Sequence, residues 1–158
     1  MGNANSEWKP IWWTTIIVTL SMTIFGGITR LVERKLNEEA YINLQTFFRA
    51  SQPDYFPLAY LLVSFVVVFA IVLAYRLALP RMPASWIIRG VIVGAFLFLV
   101  ADLPVAFTSV YTTVLTSAAI QGMAISALVN KFVNGLILAY AYKRFSHTEI
   151  ASKPIASR

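Results

Sequence analysis

Four long apolar runs alternate with shorter polar segments along this chain. They cover residues 11–29, 57–75, 86–105 and 118–142. A helix rising 1.5 Å per residue needs about twenty residues to cross a bilayer core, so each run is long enough to span. Between the first two runs the pattern changes. Leu36, Ala40, Leu44, Phe47 and Phe48 recur at helical spacing, with Arg34, Lys35, Glu38, Glu39, Asn43 and Gln45 among them. Arg34–Glu38 and Lys35–Glu39 are i,i+4 pairs of opposite sign. This predicts an amphipathic helix over about 34–49, continuing the first span or lying on the membrane surface. Its apolar face, with Leu36, Leu44, Phe47 and Phe48, is a candidate partner surface. Thr108 to Ser117 is rich in Ser and Thr and reads as a turn. The predicted fold is all-α: an integral membrane four-helix bundle with one extra amphipathic helix between spans 1 and 2. It forms a single membrane domain over 1–158, ending in a polar tail over 143–158.

Composition supports that class. Of 158 residues, 58% are hydrophobic and only 13% charged, against usual values of about 45–50% and 25%. The mean hydropathy is +0.69. Too few charges exist to build a water-facing exterior, which argues against a soluble enzyme or a disordered chain. A net charge of +6 raises the question of nucleic acid. The placement of the charges answers it, because they collect at the ends of the apolar runs, where basic residues orient membrane helices. No nucleic-acid partner is expected.

The Lys/Arg bias predicts the orientation. Four spans put both chain ends on one side, with Lys9, Arg76, Arg81, Arg89, Lys143, Arg144, Lys153 and Arg158. The other side holds Arg30, Arg34, Lys35 and Arg49. The richer side, with both termini, is expected to be cytoplasmic. Trp8, Trp12, Trp13 and Trp86 fall at that interface, where amphipathic rings prefer to sit, and Tyr75, Tyr140 and Tyr142 join them. Tyr55, Tyr60 and Tyr111 mark the opposite one.

Two ionisable residues fall inside spans, Asp102 and Lys131, and each is costly there unless paired or hydrated. Asp102 lies thirteen residues from Arg89 and Lys131 twelve from Lys143. Those counts put both at about 18–20 Å from the same end, so an ion pair is expected. Such a pair either locks two helices together or serves the passage of an ion or substrate. Asn130 and Asn134 lie one turn apart beside Lys131, and with Ala119, Met123, Ala127 and Leu138 they occupy about 120° of a helical wheel. They are candidates for a polar path or for interhelical hydrogen bonds. Gln121 is a further candidate, elsewhere on the wheel. Gly90 and Gly94 make a G-x-x-x-G spacing that permits close backbone approach, with Gly122, Ser126 and Gly135 as small residues to meet it. Pro104 is expected to kink or end the third helix.

Gly26-Gly27-Ile28-Thr29-Arg30-Leu31 resembles the segment after the first helix of haem A synthases. That family relies on membrane histidines, and His147, the single histidine here, lies in the polar tail. Its chemistry is therefore not carried over. Arg89-Gly90, Gly94 and Asp102-Leu103 resemble the third helix of uncharacterised small four-helix bacterial membrane proteins. That resemblance implies a bacterial membrane fold without a known activity.

The chain has no cysteine, which excludes disulfides and thiolate chemistry. No nucleophile–histidine arrangement, acid/base pair or metal cluster is legible, and no cofactor is expected. The function expected is that of a non-catalytic accessory or assembly subunit, bound to other membrane subunits or to itself in the inner membrane. The alternative is a small oligomeric transporter or channel using the Asp102/Lys131 site.

Overall fold

The computed structural model describes residues 4–36, 55–112 and 117–151. All elements among them are helical: α1 (Ala4–Leu36), α2 (Phe56–Ala78), α3 (Trp86–Leu97), α4 (Leu103–Thr112) and α5 (Ser117–Ala151). A short 3₁₀ turn (Leu79–Arg81) follows α2, and a π turn (Phe98–Asp102) joins α3 to α4. Four stretches are long and apolar enough to cross a membrane: Trp8–Thr29, Pro57–Arg81, Trp86–Thr108 and Ile120–Ser146. The chain is thus a multi-pass membrane protein by the length and composition of its helices.

The helices overrun the apolar patterning. α1 starts at Ala4 and carries Pro10 in its interior, where the missing N–H removes one backbone hydrogen bond. It runs on to Leu36, through the start of the segment expected to be an amphipathic helix, and so continues the first span that far. The rest of that segment, with Leu44, Phe47 and Phe48, lies outside the described residues. α4 stays helical to Thr112, through the first half of the segment expected to be a turn, and residues 113–116 lie outside the described residues. α5 continues past Lys143 to Ala151, and the first part of the expected tail is helical.

Pro104 does not end its helix. Leu103 N–H donates to Phe98 O, five residues back, in place of the usual four. This wider turn is a common way for a helix to take up a local disruption in its hydrogen-bond ladder. Thr108 Oγ1 then donates to the Pro104 carbonyl at 3.0 Å.

α5 packs along both α1 and α3, and α1 also packs along α2. Neighbours run antiparallel. Trp13 stacks on Phe145 with ring centroids 6.1 Å apart, and Trp86 meets Tyr140 edge-on at 5.4 Å. The core gathers Ile11 and Val18 from α1, Val68, Val72 and Tyr75 from α2, Val93 from α3, and Leu138, Ala139 and Tyr142 from α5. Tyr75 and Tyr142 close it with an edge-to-face contact at 5.4 Å. Outside the core, Leu58, Val63, Val66, Leu77, Phe96 and Ile125 are exposed. Such a continuous apolar exterior suits hydrocarbon and would be a liability in water.

Candidate functional site

Asp102 and Lys131 meet where the π turn faces α5. Lys131 Nζ lies 3.4 Å from Asp102 Oδ2, with the two side chains 20% and 26% exposed respectively. Asp102 Oδ2 is shielded and makes no hydrogen bond. The lysine therefore compensates the charge as an ion pair without a directional hydrogen bond. Beside the carboxylate lies a cavity of about 160 Å³. Asp102, Val105 and Ala106 line one side of it, and Ile120, Met123, Ala124 and Ala127 of α5 line the other. Asp102 is the one charged group in that lining.

A second polar cluster joins α5 to α1. Asn134 is 3% exposed. Its Nδ2 donates to the Asn130 carbonyl at 2.8 Å and also to Asn130 Oδ1. Its Oδ1 accepts from Ser21 Oγ of α1 at 2.9 Å. Asn130 also approaches Gly26, where an added Cβ would come within 3.9 Å of its Nδ2. Lys131 and Asn130–Asn134 are neighbours in sequence, yet they engage different helices. Gln121 is exposed and does not line the cavity.

Glycines set the α3–α5 crossing. A Cβ at Gly90 would lie 2.8 Å from Leu136 Cα, and one at Gly94 would lie 2.8 Å from both the Lys131 carbonyl and Phe132 Cα. A Cβ at Gly135 would strike the Gly90 carbonyl and lie 2.8 Å from Gly94 N. Backbone touches backbone here, and that closeness brings Lys131 within reach of the π turn. Gly122 and Ser126 are part-buried on the same helix.

Pattern reading passes over the threonines of α1. Thr14 and Thr15 are fully buried and Thr19 nearly so. Thr15 Oγ1 donates to the Ile11 carbonyl at 2.8 Å, while Thr14 and Thr19 hydroxyls have no partner. The signal that could have found them is their spacing. Ile11, Thr14, Thr15, Val18, Thr19 and Met22 follow i, i+3, i+4 steps and make one face of small and apolar residues. Of the candidate partner face, Leu36 closes α1, and the other three residues are not described.

Among the described residues no three His, Asp or Glu side chains lie together as a metal-binding group. No protein-family model, curated protein or solved structure matches this chain.

Proposed function

We propose that the protein is a multi-pass protein of the bacterial inner membrane that works through contacts, as a non-catalytic accessory or assembly subunit. Both chain ends would face the cytoplasm. One observation carries this reading: two sets of polar groups within the spans are engaged with one another across helices. Lys131 pairs with Asp102, and Asn134 bonds Ser21. They hold three helices in fixed register and leave an apolar exterior as the surface offered to others. Extraction in mild detergent followed by native mass analysis tests it. A stoichiometric co-purifying membrane protein, or a discrete homo-oligomer, is expected. A bare monomer in every mild detergent overturns the reading.

A second reading has its own observation. The cavity between α4 and α5 has Asp102 as its one charged lining residue, as a small cation transporter would require. Reconstituted protein would then move a small cation or proton across liposomes, and Asp102→Asn would stop it without loss of helicity.

A further inference from the structure

The hairpin of α2 and α3 leaves an apolar groove of about 340 Å³ between its two helices. Ile71, Ala74, Tyr75 and Ala78 form one wall, Ile92, Val93, Phe96 and Leu97 the other, and Met82 closes the loop end. Phe96 and Ile92 on the rim are exposed, so the groove opens outward, toward hydrocarbon. Two arginines stand near its loop end, outside the lining itself. Arg89 Nε donates to the Pro83 carbonyl, and its guanidinium also bonds the hydroxyl of Tyr75, a wall residue 3% exposed. That contact fixes a cation at the loop end of an apolar trough. Arg81, exposed and next to Met82, adds a second. From position 55 to position 101 the sequence contains no Asp or Glu, so the hairpin holds no acid of its own to neutralise them.

An apolar slot with two arginines near its loop end, at a helix-loop boundary, suits an acyl chain attached to a phosphate. Basic pockets between membrane helices bind acidic headgroups in this way, and Arg favours phosphate oxygens by its planar fork of donors. We propose that this groove is a binding site for one anionic diacyl phospholipid. One chain would lie between α2 and α3, and the phosphate would sit on Arg89 and Arg81. The site rests on the membrane placement of the hairpin, and stands whether or not the protein has a protein partner.

The test is retention of lipid by the full chain, purified in mild detergent and titrated with phosphatidylglycerol, phosphatidylcholine or glycerol 3-phosphate. Native mass spectrometry reads the bound mass. One phosphatidylglycerol per chain is expected, held about tenfold more tightly than phosphatidylcholine. Arg81→Gln should remove most of that preference. Arg89→Gln should remove it too, but it also unties the loop from Pro83 and Tyr75. Ala78→Phe therefore serves as the second variant, because it fills the groove and leaves both arginines in place. It should lower retention of both phospholipids, with helicity by circular dichroism unchanged. Equal retention of phosphatidylglycerol and phosphatidylcholine overturns the headgroup assignment. Unchanged retention in Ala78→Phe, or glycerol 3-phosphate binding as tightly as the lipid, overturns the chain in the groove.

Discussion

Asp102 and Lys131 carry opposite charges at a depth where either alone is costly. Their closeness follows from arithmetic that any helix obeys: similar counts of residues from Arg89 and Lys143 give similar depths on antiparallel neighbours. The pair can therefore be read in sequence, whereas the cavity beside it cannot, because it depends on which side chains of α4 and α5 fail to fill the space. Removing one partner leaves the other charge uncompensated, so Asp102→Asn and Lys131→Met should each destabilise the protein by about 3 kcal/mol. The double variant Asp102→Asn/Lys131→Met should recover most of that loss, as measured by thermal unfolding in detergent. A double variant as weak as the sum of the singles would mean that the two side chains act independently. The threonines of α1 escape a hydropathy reading for a different reason. Thr15 satisfies its hydroxyl on its own helix, so it buries like an apolar residue while counting as polar.

At the scale of elements, the glycines divide into those that are held and those that are not. Gly94 and Gly135 face backbone atoms of the other helix too closely to admit a methyl group. Gly27 has nothing within 4 Å of an added Cβ. Gly94→Ala and Gly135→Ala should each lower stability by about 1–3 kcal/mol, because two helices must part. Gly27→Ala should raise it by about 0.5–1 kcal/mol through helix propensity alone. Melting temperatures of the three variants decide the matter, and a gain in Gly94→Ala would contradict the close crossing. A G-x-x-x-G spacing is visible in any sequence, yet only the fold shows its partner to be Gly135 of the same chain. The positions of the spans are likewise legible, because apolar runs of this length have few other uses. The helix ends are not. Apolar patterning stops where hydrocarbon stops, but the backbone hydrogen-bond ladder of α1 and α5 carries on into polar sequence.

For the whole molecule, the aromatic contacts gather Trp13, Tyr75, Trp86, Tyr140, Tyr142 and Phe145 toward one end, together with Arg89. Tyr55 and Tyr60 lie at the opposite end of α2 from Tyr75. The proposed orientation, drawn from the Lys/Arg bias, would put the first end in the cytoplasm. Because the chain has no cysteine, single cysteines report without background. A membrane-impermeant maleimide should label Tyr55→Cys in intact spheroplasts and Ser85→Cys only after permeabilisation. The reverse pattern would invert the orientation, and labelling of both in intact cells would mean that α2 does not span. The π turn has a bearing on this architecture that concerns length and not composition. From position 94 to position 102, an unbroken α-helix would set Asp102 about 80° around the axis from Gly94. The wider turn spends about one extra residue and takes back most of that angle. It acts as a phase shift, so that the face meeting α5 through glycine backbone meets it again through a carboxylate. Leu99 and Val100, both exposed on the outside of that turn, should accept almost any apolar side chain. Deleting either would let the turn close into regular α-helix with Asp102 seven residues from Gly94, about 20° away around the axis, so the pairing with Lys131 should survive the loss of one residue.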